Sequence, residues 1–298
     1  MKPELSDLDG TILCEEPLSR HTTLKVGGPA RWYCRVKTEQ GLSTVLRAAS
    51  DVGDPLALLG MGSNVVAADG GFPGWVVRLE GDFLRIEIAG ERLTAGGGAA
   101  LGGACAAAAR AGLSGLEPIS GIPSSIGGAV RINAGAYGGE IFEVLETVRM
   151  VSRAGERREA AAADIPHGYR WTQLCETGDI VSEATLRLRP ASREEIAERT
   201  RVVSEKRRGA LPTEPNAGSV FKNPPGDYAG RLVEACGLKG ERRGDAAIST
   251  RHANVVVNLG GARSADVVLL MRLMRDSVEE KFGVTLSPEV EFLGLKWE

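Results

Sequence analysis

The stretch GIPSSIGGAVRINAGAYG, Gly121–Gly138, carries five glycines and a single charged residue, Arg131. Glycine lets the backbone adopt a positive φ or approach a flat partner closely, but it loses more conformational entropy on folding than any other residue. So much glycine therefore predicts a compensating close contact. We interpret Ile122–Pro123, Gly127–Gly128 and NAGAYG as backbone that can lie against a planar ring system and donate amide hydrogen bonds, with a packing turn as the structural alternative.

A second glycine-rich loop occurs in LLGMGSNVV, Leu58–Val66, where an apolar strand runs into the sequence GMGSN. A strand followed by such a turn exposes several amide groups in a concave nest, and nests of this kind bind phosphate. The pattern is not the Rossmann GxGxxG, because no third glycine opens a helix, and a tight turn is the alternative. Two separated nests favour a long ligand with two ends, such as a dinucleotide.

Composition bounds the class of protein. The chain has 298 residues, 43% of them hydrophobic, with a net charge of -3. These values predict a globular chain of two or three lobes that does not bind nucleic acid, because duplex binding needs clustered, uncompensated basic residues. The start MKPELSDLDG has no signal-peptide pattern and no apolar stretch is long enough to span a bilayer, so we expect a cytoplasmic protein without a membrane partner.

Cysteine and histidine usage argues against a structural metal or disulfide framework. The five cysteines are widely spaced with no CxxC pair, and there are only three histidines. We therefore expect buried thiols, no disulfide framework and no metal site.

The chain alternates short strands with helices in its first part and becomes α+β after Val76. Thr38 is predicted to cap a helix that Gly53 ends, and LRIEI and RLTAG are predicted to form a hairpin around Gly90. An alanine-rich helix follows over 99–110. Ser192 and Glu195 form a capping-box pattern, and we place a domain boundary there.

The clearest helix is predicted near the C-terminus, with Ser264 as its cap and Gly283 as its end. Its apolar residues recur at helical spacing and predict a core face, so that the two methionines are packing residues rather than a ligand set. This face comprises Val267, Met271, Met274, Val278 and Phe282.

Three further segments carry reactive side chains. In HGYRW, Arg170 can fork two hydrogen bonds onto a carboxylate, although most arginines are solvated. In NAGSVFKNP, the Ser219 hydroxyl can give a proton to a very basic acceptor such as a carbanion, and Lys222 can meet a phosphate; an ordinary turn serine is the alternative. In SPEVEFLG, Glu289 lies either in water or partly buried with a raised pKa, and the sequence leaves both open.

A basic cluster, ERRG, contains Arg242 and Arg243. It can attract a diphosphate, but such runs are more often solvated.

These motifs occur in an order that identifies a family. TLKVGGPA (23–30), GMGSNV, GLSGLEPISGIPSSIGGAVRINAGAYGGE, GYR, AGSVFKNP and PEVEFLG appear in register over essentially the whole chain. Taken together they resemble the UDP-N-acetylenolpyruvoylglucosamine reductases, flavoenzymes that make UDP-N-acetylmuramate for bacterial peptidoglycan. The direct passage from Arg170 into WTQLCETGDIV, with no long tyrosine-bearing loop, is similar to the short-loop (type II) subgroup.

The resemblance implies an α+β fold: a PCMH-type (vanillyl-alcohol-oxidase-like) FAD-binding domain over 1–190, with subdomains of about 1–66 and 67–190, and a substrate-binding domain over 191–298. It implies non-covalent FAD, NADPH as reductant, a UDP-sugar enolpyruvyl ether as small-molecule substrate and no obligatory protein partner. The implied processes are peptidoglycan synthesis, cell-wall biogenesis, cell shape and cell division.

The resemblance also assigns site residues. The implied catalytic residues are Arg170, Ser219 and Glu289, and the implied substrate contacts are Tyr137, Lys222 and Asn223. The implied cofactor contacts are Gly60, Met61, Gly62, Ser63, Asn64, Val65, Gly121, Ile122, Pro123, Ser124, Ser125, Gly127, Gly128, Asn133, Ala134, Gly135 and Ala136. Ser124 stands where many members have glycine.

The implied chemistry suits these residue types. Hydride from the flavin adds to the methylene carbon of the enolpyruvyl ether, Arg170 and a protonated Glu289 stabilise the resulting enolate, and Ser219 protonates the carbanion. Two alternatives are another PCMH-type flavin oxidoreductase acting on a small alcohol or hydroxy acid, and a non-catalytic nucleotide-binding module. For a covalent flavin, the loops offer no histidine, whereas Cys34 and Cys105 remain possible attachment sites.

Overall fold

The computed structural model describes Leu5 and residues 8–297, so most of the opening stretch MKPELSDLDG lies outside the described residues. By its internal packing the chain divides into two compact units. The first unit comprises Met1–Cys14, Trp32–Met61 and Gly74–Arg207. The second unit comprises Glu15–Arg31, Gly62–Pro73 and Arg208–Glu298.

The secondary structure mixes strands and helices throughout, which confirms the α+β class. The strands are β1 (Gly10–Pro17), β2 (Pro29–Val36), β3 (Leu56–Leu58), β4 (Val65–Ala67), β5 (Phe72–Leu79), β6 (Ile86–Ala89), β7 (Arg92–Gly96), β8 (Leu113–Ser114), β9 (Gly135–Ala136), β10 (Gly139–Glu140), β11 (Leu145–Val151), β12 (Arg157–Ala161), β13 (His167–Gly168), β14 (Trp171–Thr172), β15 (Ile180–Arg187), β16 (Arg189–Pro190), β17 (Asn216–Ser219), β18 (Arg242–Arg243), β19 (Ala246–Ile248), β20 (Val255–Asn258) and β21 (Glu291–Leu293). The α-helices are α1 (Glu39–Asp51), α2 (Leu101–Arg110), α3 (Ile126–Arg131), α4 (Leu174–Thr177), α5 (Arg193–Ala210), α6 (Ala229–Ala235) and α7 (Ser264–Phe282). Short 3-10 helices occupy Leu18–Arg20, Gly81–Leu84, Glu117–Ile119, Ile141–Glu143 and Ala162–Asp164.

The first unit contains α1 and most of a four-stranded sheet of order β1-β2-β5-β3. Thr38 caps α1 as predicted, since its Oγ1 accepts a hydrogen bond from the Gly41 N–H at 3.2 Å. The buried side of α1 shares a core with the inner side chains of β2 and β5. Strand β3 pairs in parallel with β5 and delivers the chain to the Gly60 loop.

A second sheet of the first unit has five strands in the order β12-β11-β15-β7-β6. Strands β6 and β7 form the predicted hairpin, with Ala89 paired to Arg92 across Gly90 and Glu91. Helices α2 and α3 contribute Leu101, Ala104 and Ile126 to the core of this part. The sheet therefore carries a packed face beneath the glycine-rich stretch.

The second unit contains a four-stranded sheet of order β17-β20-β19-β18 and a two-stranded parallel ladder of β21 with β4. Helix α7 lies in its core, where Val267, Met271, Met274 and Val278 are fully buried. The predicted core face and the packing role of both methionines are therefore confirmed.

Two details of the α7 prediction are wrong. Ser264 is the first helical residue rather than the cap: its N–H donates to Asp69 Oδ1 at 2.8 Å, and its Oγ accepts from the Asp69 N–H at 2.9 Å. The cap thus comes from a residue distant in sequence. Phe282 is exposed rather than part of the core, and the Arg231 guanidinium lies 5.8 Å from its ring centroid.

The cysteines are free where the structure describes them, and Cys34 is buried in the core of the first unit, whereas Cys14 is exposed, contrary to the expected burial. Among the described residues, every helix is too short or too polar to serve as a membrane span. The division into two units is based on contacts within the protein and does not show which residues bind cofactor or substrate. The predicted boundary at residue 190 between cofactor and substrate domains therefore stays a prediction.

Candidate active site

The structure distributes the predicted site residues over both units. Those in the first unit are Gly60, Met61, Gly121, Ile122, Pro123, Ser124, Ser125, Gly127, Gly128, Asn133, Ala134, Gly135, Ala136, Tyr137 and Arg170. Those in the second unit are Gly62, Ser63, Asn64, Val65, Ser219, Lys222, Asn223 and Glu289.

The two glycine-rich segments of the first unit meet at a cavity of about 110 Å³. Its walls include Gly60 and Met61 from the first loop, Ser125 from the second, and Gly97–Gly98. Leucine side chains, Arg78 and Glu80 complete the lining, and the three glycines leave backbone close to whatever occupies the cavity. The sequence had singled out both loops without showing that they adjoin.

Close packing explains why position 60 is glycine. A Cβ atom there would lie 2.6 Å from Ser125 Oγ, nearer than side chains approach one another. Ser125 cannot yield freely, because its Oγ caps α3 by accepting the Gly128 N–H at 3.2 Å. Within the described residues, the backbone N–H groups of Gly60 and Met61 have no hydrogen-bond acceptor.

Gly97 and Gly98 line the cavity and were not predicted from the sequence. The Gly97 N–H donates to Ser182 O at 2.7 Å, and a Cβ atom on Gly97 would lie 1.9 Å from Val181 O. The available signal is the run Gly96–Gly98, which begins with the last residue of β7 and which local pattern predicts only as the end of a hairpin strand. Gly97 therefore packs against β15, whereas Gly98 packs against β5, where a Cβ atom on it would lie 2.6 Å from Leu79 O.

The backbone around Gly127–Gly128 was predicted to offer amide groups to a ligand, but several of these amides are bonded within the protein. The N–H groups of Ile126 and Gly127 donate to Ala99 O and Gly97 O, each at 2.8 Å. These residues form the first turn of α3, so their amides are already bonded within the protein. Ser124 is likewise held, since its Oγ donates to Ser125 O at 2.9 Å. Contact of these residues with a cofactor stays a prediction.

Asn133 is fully buried in a left-handed conformation, with φ of 47°. Its Nδ2 donates to Glu140 Oε2 at 2.7 Å and to Gly168 O at 3.1 Å. This side chain therefore joins the β9–β10 hairpin to the residue that precedes the Arg170 turn.

Arg170 lies with Tyr169 in the two-residue turn between β13 and β14, also with a positive φ of 53°. Its Nη2 donates to Gly135 O at 2.6 Å. A left-handed backbone is uncommon for a side chain of this size, and here it belongs to the tight turn of the hairpin. The structure thus brings Arg170 to the predicted cofactor segment.

Arg207 of α5 is a further charged residue at this surface that sequence reasoning missed. A Cβ atom on Gly121 would lie 2.7 Å from Arg207 Cδ, so the glycine leaves room for this side chain. Burial lowers the pKa of the Arg207 guanidinium, and a smaller effect of Tyr137 raises it. The group remains a cation beside both residues near neutral pH.

In the second unit, Ser219 is the last residue of β17 and pairs with Val255 of β20. Gly218 before it has φ of 74°. The pairing shifts register between Asn216 and Ser219, which marks a β-bulge. Ser219 is half-buried.

The Glu289 segment lies alongside the Ser219 segment. The Glu289 N–H donates to Val220 O at 2.9 Å, and Phe221 forms an antiparallel bridge with Pro288. Asn64 holds the same segment from the other side, because its Nδ2 donates to Glu289 O at 3.0 Å. Glu289 is half-buried, and its raised pKa stays a prediction.

The remaining loop residues adjoin this cluster. Gly62 has φ of 64°, and a Cβ atom on it would lie 2.0 Å from His21 O. Val65 pairs with Glu291 in the β4–β21 ladder. A Cβ atom on Gly218 would lie 3.9 Å from Ser63 O. Motifs far apart in sequence therefore converge around Ser219 and Glu289.

The predicted substrate contacts of this unit have differing surroundings. Lys222 is half-buried, and its N–H donates to Ser287 O at 2.9 Å. Asn223 is exposed, and its Oδ1 caps α6 by accepting the Ala229 N–H at 3.1 Å. Of the basic cluster, Arg242 lies 3.5 Å from an Asp245 carboxylate oxygen, which supports the solvated alternative.

Two family models match the chain. The model of the UDP-N-acetylenolpyruvoylglucosamine reductase C-terminal domain matches residues 211–293. A model described as an FAD binding domain matches residues 30–161. The FAD-binding fold and the FAD cofactor expected from the sequence are thereby confirmed.

Full-length relatives agree. UDP-N-acetylenolpyruvoylglucosamine reductase 2 of Symbiobacterium thermophilum is 44% identical over 286 residues, which cover 96% of this chain and 93% of the relative. The reductase of Carboxydothermus hydrogenoformans is 39% identical over 297 residues, 99% of this chain and 98% of the relative.

A solved structure has the same fold. The crystal structure of UDP-N-acetylenolpyruvylglucosamine reductase from Thermus caldophilus superposes on this chain with a TM-score of 0.83. The two sequences are 40% identical, and the match covers 96% of this chain and 99% of the other. With the family models and the full-length relatives, this places the chain in the UDP-N-acetylenolpyruvoylglucosamine reductase family.

Proposed function

We propose that this FAD-dependent UDP-N-acetylenolpyruvoylglucosamine reductase uses Ser219 as the proton donor, with Arg170 and Glu289 stabilising the negative charge that develops on the substrate. One observation carries the proposal. The Glu289 N–H donates to the carbonyl of Val220, the residue after Ser219, so two sequence-distant reactive groups belong to one pair of adjoining chain segments.

The residues of the first unit fit FAD. A cavity of about 110 Å³ is lined by three glycines, Gly60, Gly97 and Gly98, together with leucine side chains and the charged residues Arg78 and Glu80. The amides of Gly60 and Met61 have no acceptor among the described residues. Such donors suit the phosphate and ring heteroatoms of a dinucleotide. When bound, FAD supplies the hydride of the reaction.

Arg170 meets the first chemical demand. Addition of hydride to the methylene carbon of the enolpyruvyl ether places negative charge on the neighbouring carbon and its carboxylate. A guanidinium can form two parallel hydrogen bonds with a carboxylate, and its hydrogen bond to Gly135 O keeps the side chain in a fixed direction.

Ser219 meets the second demand. A serine hydroxyl is too weak an acid for most acceptors, but a carbanion is basic enough to take its proton. Glu289, if protonated, adds a hydrogen bond to the enolate oxygen. Glu289 is half-buried, and its segment is bonded to the Ser219 segment, which supports this role.

NADPH is the proposed reductant, with Tyr137, Lys222 and Asn223 as substrate contacts. One NADPH and one proton are consumed for each UDP-N-acetylmuramate formed. The product serves as a peptidoglycan precursor, and we place the enzyme in the cytoplasm, where such nucleotides are made.

The experiment measures UDP-N-acetylmuramate formation by the purified protein with FAD, NADPH and the enolpyruvyl substrate. Ser219→Ala should lower kcat by about 100-fold or more, because loss of a general acid typically removes two to four orders of magnitude. Ser287→Ala, at an exposed serine two residues before Glu289, is the matched control and should retain activity. Full activity of Ser219→Ala would contradict the assignment.

A further inference from the structure

We infer that Thr23 is a positioning residue that sets the direction of the Ser219 hydroxyl without contacting the substrate. The inference rests on the proposed role of Ser219 as proton donor. Thr23 opens the TLKVGGPA motif, which helped to identify the family but received no role.

Ser219 follows directly on a β-bulge. Asn216 pairs with Val257 and Ser219 with Val255, so three steps along β17 match two along β20. The extra residue is accommodated by Gly218, whose φ of 74° suits glycine. Bulges change the direction of the side chains that follow them. The direction of Ser219 therefore depends on how firmly this bulge is held.

Two asparagine side chains, those of Asn216 and Asn254, form hydrogen bonds with the backbone before and after Ser219. The Gly218 N–H donates to Asn216 Oδ1 at 2.9 Å. Beyond Ser219, the fully buried Asn254 receives the Phe221 N–H on its Oδ1 at 3.0 Å and donates from Nδ2 to Phe221 O at 2.8 Å. The segment is thus fixed on both sides of Ser219.

Thr23 supplies the third attachment, at the edge of the sheet. Strand β17 is an edge strand, and Pro215 O accepts the Asn258 N–H on the β20 side. By the alternation of an antiparallel ladder, Asn216 O faces the opposite edge, where Thr23 Oγ1 donates to it at 2.7 Å. The Thr23 N–H donates to Gly62 O at 3.0 Å, so one residue joins the bulge to the Gly62 loop.

The Thr23 hydroxyl group is the part of the side chain that the test must remove. Thr23→Val keeps the shape of the side chain but removes the 2.7 Å hydrogen bond to Asn216 O and the longer 3.3 Å contact of the same hydroxyl with Gly62 O, whereas Thr23→Ser keeps the hydroxyl. A displacement of the reacting group by a fraction of an ångström to 1 Å is enough to slow chemistry strongly. Thr23→Val should therefore slow proton delivery while leaving the reduction by NADPH intact.

The test separates the two half-reactions in anaerobic stopped-flow absorbance. Thr23→Val should reduce normally with NADPH but react with the enolpyruvyl substrate about tenfold more slowly or worse, and Thr23→Ser should regain most of the rate. In a Ser219→Ala background, Thr23→Val should add almost nothing, since the group that it positions is gone. Amide hydrogen exchange of the purified protein should rise at Gly218 and Val220 in Thr23→Val.

Several outcomes would overturn the inference. These are equal slowing of both half-reactions, an unchanged substrate reaction, or full additivity with Ser219→Ala. If Thr23→Val does not fold, Thr23→Ala is measured in the same way. If Ser219→Ala itself reacts normally with substrate, the proposed function fails; if Ser219→Ala is slow and Thr23→Val is not, only the positioning role fails.

Discussion

Gly60 and Ser125 approach so closely in the first unit that a Cβ atom on Gly60 would lie 2.6 Å from Ser125 Oγ. Both residues line the same cavity, and Ser125 Oγ is also the cap of α3. One small substitution at position 60 should therefore disturb both the cavity and the helix beside it.

Gly60→Ala is expected to weaken FAD binding by about tenfold or more, because a misfit of about 1.4 kcal/mol already changes affinity tenfold. Measurement of the FAD dissociation constant by flavin fluorescence checks this. Gly102→Ala is the control, since a Cβ atom there would meet, among the described residues beyond its own helix backbone, only Ser120 O at 4.0 Å. Ser125→Ala should reduce the penalty of Gly60→Ala by removing the clashing oxygen; an equal penalty in both backgrounds would refute the packing explanation.

Arg170→Lys tests the need for a planar fork. Lysine keeps the positive charge but cannot form two parallel hydrogen bonds with a carboxylate, so kcat should fall by about 100-fold. Arg242→Lys, at an exposed arginine beside Asp245, should leave kcat unchanged. Steady-state assays of both variants decide the point: equal kcat in wild type and Arg170→Lys would mean that charge alone is sufficient.

The Glu146 cluster predicts an acid-dependent contribution to stability. Hydrogen bonds from Arg92, and then from Arg187, lower the pKa of Glu146 from 4.5 to about 2. A carboxylate with a depressed folded-state pKa stabilises the fold above its unfolded pKa and loses that contribution as the pH falls through the folded value. The free energy of unfolding of wild type should therefore exceed that of Glu146→Gln above pH 4.5, with the difference vanishing near pH 2.

Urea unfolding of both proteins across this pH range provides the measurement. Glu87→Gln, at an exposed glutamate of β6 in the same sheet, serves as the control for the loss of one charge. A difference between wild type and Glu146→Gln that stays constant down to pH 2 would show that the ion pairs do not set the pKa.

The sequence pattern predicts an element correctly where the residues that determine it are close together in the chain. The Thr38 cap, the β6–β7 hairpin and the buried face of α7 follow from spacing and turn residues, and each is present. The cap of α7 was assigned wrongly because Asp69, which supplies it, lies 195 residues away in sequence. Phe282 continues the helical spacing but lies at the last turn, where the core has ended.

The candidate site shows the same difference between features set by nearby residues and features set by distant ones. Motif order predicts both glycine-rich loops and the segments of Ser219 and Glu289 as parts of the site. It did not reveal Gly97–Gly98, because these glycines are required by packing against strands distant in sequence, Gly97 against β15 and Gly98 against β5. Nor could it reveal the bulge before Ser219, because a register shift exists only relative to the partner strand β20.

The most direct test of the central claim is the reoxidation of NADPH-reduced Ser219→Ala enzyme by the enolpyruvyl substrate, followed anaerobically by flavin absorbance. Proton donation by Ser219 predicts bleaching by NADPH at the wild-type rate and return of the absorbance slowed by about 100-fold or more. Return of the absorbance at the wild-type rate, or equal slowing of both phases, would contradict it.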